Sequence, residues 1–305
     1  MSLENILVVD RESVRRAWGK TDADVKEYLE IIKEWLKTQH HLPEMPGDNM
    51  IEFFLTNCKY SVEKTKGNLD MYYTMRNLMP SMYRNMHPCK PQEIQPALNT
   101  GMIAVLPKLT QDLYRITVLK YKKFDDVSYD MTKFMAHCLN NLFEIRIHED
   151  LTMGEIFIIS HEHADLNVLS KLTPVLLKNI AQILEKVHCN RMKALHLLNP
   201  PAYVDTIISI FKRFLPKNLQ ERIFFHKTLE DLHKHVPREL LPGDYGGKEK
   251  PLQELSDLWM RKLEQYKDRF DKLEKMKIDE SLRPEKLEND DILGYHGNFK
   301  KLNVD

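Results

Sequence analysis

His161 and His163 stand two residues apart in "SHEH" (Ser160 to His163), directly after the apolar run "EIFIIS" (155–160). Imidazoles at the end of a strand sit where α/β proteins often place functional groups. The chemistry such a pair would do is metal binding, and with it the activation of a water. The spacing does not match H-E-x-x-H, and the alternative is a pair of ordinary loop histidines. The four cysteines, Cys58, Cys89, Cys138 and Cys189, are far apart and form no C-x-x-C pair. They read as reduced thiols of an intracellular protein. G-x-G-x-x-G and G-x-x-x-x-G-K-[ST] are missing, so no glycine cradle for phosphates is expected. No G-x-S-x-G elbow marks a nucleophilic serine. The reading is therefore not an enzyme, with no cofactor and no metal.

A second constellation is apolar. In "PAYVDTIISIFKRFLP" (201–216), Tyr203, Val204, Ile207, Ile208, Phe211, Phe214 and Leu215 follow the i, i+3, i+4, i+7 spacing of one helix face. Burying seven such side chains is worth on the order of 10–20 kcal/mol as an upper bound, so the face must be covered. Either it is a core helix over a sheet, or it is a lid. Two features favour the lid. Prolines bound the segment on both sides, and Arg191, Lys193, Lys212, Arg213, Lys217 and Arg222 surround it. A hinged apolar helix beside cations suits a surface of anionic lipid.

The elements that would position these residues follow from the pattern along the 305 residues. Residues 21 to about 87 read as short helices joined by short turns, with Thr21, Asp48 and Ser61 as candidate caps. From about residue 113, short β-branched and aromatic runs appear: "YRITVLKY" (114–121), "EIFIIS" (155–160), "ALHLL" (194–198) and "RIFFH" (222–226). They alternate with helical stretches near 128–147, 172–188 and 201–216, which predicts an α/β domain with a largely parallel sheet. "IFIIS" is almost continuously apolar, as expected of a strand covered on both faces. Trp259, Leu263, Tyr266, Phe270 and Leu273 mark a last helix, read as packed on the body or as a coiled-coil seam. The charged segment from Ile278 reads as loop.

Lys+Arg and Asp+Glu balance at 45 each, which argues against a general nucleic-acid binder. No apolar run approaches the roughly 20 residues of a membrane-spanning helix. The expectation is a soluble, cytoplasmic monomer that associates only transiently with membranes.

From "NRMKALHLLNPPAYVDTIISIFKRFLPKNLQERIFFHKTLEDLHKHVPRELLPGDYGG", together with "DNMIEFFLTNCKYSVEKTKGNLDMYYTMR" and "GEIFIISHEHADLNVLSKLTP", the chain resembles the CRAL-TRIO lipid-binding family. The likeness covers about residues 20 to 275, and the closing "GNFKKLNVD" resembles tails common among arthropod members. The resemblance implies a mainly parallel α/β sheet with flanking helices enclosing an apolar cavity, preceded by a small all-helical domain. The implied divisions are 1–92, 93–277 and a tail at 278–305.

The resemblance also makes 203–215 the gate over the cavity. Strand alternation and the family pattern place Ile156, Ile158, Leu195 and Leu197 on the floor, with Ile180, Ile183 and Leu184 on a helical wall. On the helix near 131–145, His137 and Asn141 lie four apart between Phe134 and Leu142. They stand where some relatives carry small hydroxyl side chains near the ligand's polar end, or else they bond neighbouring loops. Arg191, Lys193 and Arg222, with Lys217 adjacent to a fourth position, fall where the tocopherol-transfer branch contacts a phosphoinositide headgroup; scattered surface charge is the alternative. The function so implied is an intracellular carrier of one small lipophilic ligand, such as a retinoid or tocopherol, that exchanges it at anionic membranes. The rivals are a protein-interaction module with a degenerate pocket and a metal-dependent hydrolase.

Overall fold

The computed structural model describes residues 6–123, 129–188, 191–285 and 287. The first part is helical: α1 (Arg11–Ala17), α2 (Asp22–Lys37), α3 (Asp48–Asn57), α4 (Val62–Leu78), α5 (Pro80–Tyr83) and α6 (Pro91–Thr100). Thr21 and Asp24 cap α2 reciprocally, backbone and side chain each satisfying the other. Ser61 holds the cap position of α4 without a side-chain bond. Asp48 is not a cap: Gly47 takes that position, and the Asp48 carboxylate instead pairs with Lys33 at 2.7 Å.

The second part is built on a five-stranded sheet in the order β1 (Gly101–Leu109), β2 (Tyr114–Tyr121), β3 (Gly154–Ser160), β4 (Met192–Leu198), β5 (Ile223–His226). β1 and β2 are antiparallel, and β2 through β5 run parallel. This is the expected fold class, with one strand more than the sequence announces. β1 was hidden because "GMIAVLPKL" carries Pro107, which sits where the register shifts between Val105 and Leu109 on an edge strand.

The crossovers are helical. α7 (Met131–Ala136) passes through a π turn (His137–Asn141) into α8 (Leu142–Glu149), and α10 (Pro174–Gln182) ends in a second π turn (Ile183–Val187) after the short α9 (Leu166–Leu169). α11 (Val204–Lys212) and α12 (Lys217–Gln220) join β4 to β5, and α13 (Leu229–His233) follows. In the "LLPGDYGG" turn, Gly246 has φ 77° and a Cβ at Gly247 would lie 1.9 Å from the Leu241 carbonyl oxygen, so only glycine closes it.

α14 (Leu252–Gln265) and α15 (Lys267–Lys275) complete the body. Leu255, Trp259, Leu263, Phe270 and Leu273 are buried with the sheet face opposite the cavity, and Trp259 Nε1 donates to the Val105 carbonyl at 2.8 Å. The seam is a helix-to-sheet contact, and the coiled-coil alternative falls. The start of the tail also docks: Arg283 Nη1 reaches both oxygens of Asp70 at 2.7 and 2.8 Å. Residue 128, Cys189, Asn190 and the "GNFKKLNVD" segment lie outside the described residues.

One buried charge cluster fixes the middle of the sheet. Arg115, fully buried, donates to Asp150 at 3.1 and 2.5 Å and to the carbonyls of Val8, Leu106 and Pro107. Asp150 also accepts from Arg146 at 2.9 Å, and Arg146 in turn pairs with Glu155. These cations hold the Asp150 carboxyl below its ordinary range against the opposing effect of burial.

Candidate ligand cavity and gate

Side chains alternate across the sheet, and the pairing decides which ones face the cavity. Thr117, Phe157 and Leu195 form one rung, and Leu119, Ile159 and Leu197 the next. All six line a cavity of about 130 Å³ between this sheet face and the helices α10 and α11. Ile180 and Leu184 close it on one side, and Val204, Ile207, Ile208 and Phe211 roof it. Leu195, Leu197, Ile180, Leu184 and four members of the α11 face thus meet around one apolar space.

Other expectations need correction. Ile156 packs in the core on the opposite sheet face and does not line the cavity. Ile158 borders the cavity although it packs in that opposite cluster, and β3 adds Phe157 and Ile159, which the sequence reading left out. Phe134 is buried against Tyr121, ring centroids 6.0 Å apart, and does not line the cavity. Ile183 is likewise core rather than wall.

His137 and Asn141 face the helical part instead of the cavity. Asn141 Nδ2 donates to the Met86 carbonyl at 3.0 Å and lies 3.1 Å from His137 Nδ1, and the adjacent Asn140 donates to Met82. Met135, Cys138 and Leu139 are what this stretch offers the cavity. The loop-bonding alternative describes the pair.

The α11 helix runs only over Val204–Lys212, with Phe214 and Leu215 in the turn behind it. At its first end Tyr203 Oη donates to the Ala164 carbonyl at 3.3 Å. Beyond its last turn lies a second space of about 240 Å³, lined by Phe211, Phe214, Leu215 and Leu219 and by Cys58, Lys59, Lys64 and Arg191 from the other side. Phe211, Leu184 and Met192 border both spaces. Phe211 therefore stands between the two spaces.

Two polar features take a place at the cavity that the sequence does not assign them. His161 is buried, lies 5.6 Å from the Tyr121 ring and lines the cavity, with no hydrogen-bond partner at Nδ1. Burial pushes its pKa down to about 4, leaving a neutral imidazole. His163, by contrast, is a partly exposed neighbour of Glu162, so the two histidines of "SHEH" are not brought to one centre. The second feature is Lys59, which joins the rim from the α3–α4 turn with φ 57°.

Of the expected headgroup cations, Arg191 stacks over Trp18 at 4.4 Å and Lys193 over Tyr114 at 5.4 Å. Arg222 donates to the Met192 carbonyl at 2.6 Å, and Lys217 is exposed. Arg191 and Lys59 share the rim of the second space; Lys193, Lys217 and Arg222 do not line it. Among the described residues no helix is long and apolar enough to cross a membrane.

Residues 21–93 match a family model described as Pinta-like, UBA domain, and residues 99–247 one described as CRAL/TRIO domain. Alpha-tocopherol transfer protein-like from mouse is 24% identical over 246 residues, 80% of this chain and 70% of that protein. The human protein of the same name gives the same figures. Rat clavesin-1 is 28% identical over 202 residues, 66% of this chain and 57% of that protein. Among solved structures, Sfh5 matches with TM-score 0.48 and 14% identity, over 86% of this chain and 100% of that one. Residues 99–247 thus form a CRAL/TRIO domain, and residues 21–93 before it the Pinta-like helical lead-in.

Proposed function

We propose that this protein is an intracellular, non-enzymatic carrier that encloses one small lipophilic molecule and exchanges it at membranes by moving α11. The observation that carries the reading is the position of α11, whose apolar face roofs an apolar cavity and ends on Phe211, the partition between two spaces. A face buried on ligand when closed can be buried in lipid when open, so the switch trades one apolar contact for another. The relatives' name, alpha-tocopherol transfer protein-like, supports a ligand of the tocopherol kind, and a retinoid is the other small lipophilic guest in view. At about 130 Å³ the cavity is close to the size that holds one benzene ring, so a longer guest enters only as Phe211 and α11 move outward. That same modest size is what favours the rival, a protein-interaction module with a degenerate pocket.

The rim is the part that would meet a membrane. Arg191, Lys59 and Lys64 line the space beside the apolar end of α11, and Lys193, Lys217 and Arg222, which do not line it, are the further cations proposed to meet the membrane. Several cations around an apolar edge suit an anionic headgroup, a phosphoinositide among them. The carrier works as a monomer and has no part in nucleic-acid binding.

Reversing Lys59 and Arg191 together to glutamate tests this. Each basic residue near an anionic surface is worth about 1 kcal/mol, so transfer of a fluorescent tocopherol to vesicles containing phosphatidylserine is expected to slow at least tenfold. Transfer to neutral vesicles should barely change. Equal rates on both kinds of vesicle would remove the headgroup role.

A further inference from the structure

Thr117, Cys138, Leu139, Phe157 and Leu184 border both the main cavity and a small inner chamber of about 30 Å³. The chamber differs in chemistry, because Glu155, Arg146 and His188 complete its wall. Three side-chain atoms of that wall have no hydrogen-bonding partner in the protein: Thr117 Oγ1, Glu155 Oε2 and His188 Nε2. Their residues are 5%, 6% and 4% exposed. A buried polar atom without a partner costs about 1–3 kcal/mol, so three around one chamber are a sign of something that comes to satisfy them.

These atoms are also held in place. Glu155 is anchored through its other oxygen to Arg146, which Asp150 and Arg115 fix in turn. His188 lies flat on the Phe143 ring, centroids 3.6 Å apart at 13°. Thr117 is pinned in the central rung of the sheet between Val105 and Phe157.

We propose that this chamber receives a hydroxyl group at the leading end of the guest, so that the protein selects lipid alcohols over the matching aldehydes, ethers and acids. The proposal rests on the carrier reading and names the ligand class. Burial raises the Glu155 pKa and the Arg146 guanidinium opposes that rise; in the charged form that this pairing favours, its second oxygen only accepts. Thr117 donates or accepts, and the neutral His188 does one or the other. A hydroxyl donates to Glu155 while accepting from Thr117 or His188. An aldehyde or ether oxygen only accepts and leaves Glu155 unmet, and an acid brings a second negative charge beside it. The chamber has room for a group about the size of a water, which fits a hydroxyl and excludes a bulky headgroup.

The test offers the full-length protein a C20 isoprenoid series (geranylgeraniol, its aldehyde, its methyl ether and its acid) and reads affinity by displacement of a fluorescent fatty probe. The alcohol is expected to bind about fivefold to tenfold more tightly than the aldehyde or ether. Thr117→Val, close in shape and suited to a strand, should weaken the alcohol severalfold. Alcohol and ether binding alike to the wild-type protein would overturn the proposal, as for a chamber filled by an ordered water, and would leave the carrier reading standing. That comparison needs no variant, so a misfolded Thr117→Val does not shield the proposal. Failure of every member to bind would remove both readings.

Discussion

Replacing Phe211 with aspartate is expected to reduce lipid transfer between vesicles at least tenfold. The residue is 7% exposed and borders both spaces beneath and behind α11. A carboxylate there must either be buried in an apolar surround, at a cost of several kcal/mol, or be turned out to water. In the first case the closed, ligand-holding state is destabilised. In the second the partition is gone and the apolar face no longer seats on lipid. A companion Phe211→Leu keeps the site apolar at somewhat smaller volume and should retain most transfer. The pair separates loss of apolar contact from loss of fold, provided circular dichroism shows both variants folded. Wild-type rates for Phe211→Asp would contradict the assignment of α11 as gate.

The second large effect is acid lability beginning well above the carboxylate range. His137, His161, His188 and His196 are buried, and desolvation lowers each: the first two to about 4, the others to about 3. His196 Nδ1 also lies 2.8 Å from His226 Nε2, a contact that tolerates no second proton. The unfolded chain takes up these protons near pH 6.5, whereas the folded protein does so only near 4 or below. Between those values the unfolded state binds more protons, so stability rises with pH and is lost on acidification.

Each histidine contributes up to about 1.4 kcal/mol per pH unit in that window. Four of them remove an amount comparable to the whole stability of an ordinary domain, about 5–15 kcal/mol. Glu144, held down to about 2 by His148, Arg269 and Arg76 against burial, adds its own loss only below about pH 4.5. Thermal melts should show Tm falling steeply from pH 6.5 to 5. A flat profile over that interval would contradict the neutral, buried histidines.

What was legible in the sequence depended on whether a segment carries its own phase. β4, "MKALHLL", sets His196 between Leu195 and Leu197, so the strand carries a polar marker of its phase beside the strand alternation and family pattern that point to the two leucines. β3, "EIFIIS", is apolar on both faces, so nothing local separates Ile156 and Ile158 from Phe157 and Ile159. Only its pairing with β2 and β4 decides, and pairing is a tertiary fact.

The α7–α8 helix shows a related limit. Spacing groups His137 with Asn141, but it does not say which neighbour that face meets, and the π turn over His137–Asn141 shifts the phase of everything after it. The face that meets the cavity carries Met135, Cys138 and Leu139, which read as plain core. The α11 face was visible because it combines strong amphipathicity with prolines at both ends. Lys59 was not, since it reaches the rim from a turn more than 100 residues earlier in the chain. His161 was noticed for its spacing to His163, while its actual surroundings are set by Tyr121 and the cavity.

The central claim is that α11 covers a space meant for one guest molecule. Native mass spectrometry of the full-length protein, purified without detergent and then incubated with liposomes made from a total cell lipid extract, tests it most directly. The account predicts one lipid of several hundred daltons bound per chain, released intact by organic solvent. A protein that carries no lipid on purification and takes none up from those liposomes would contradict it.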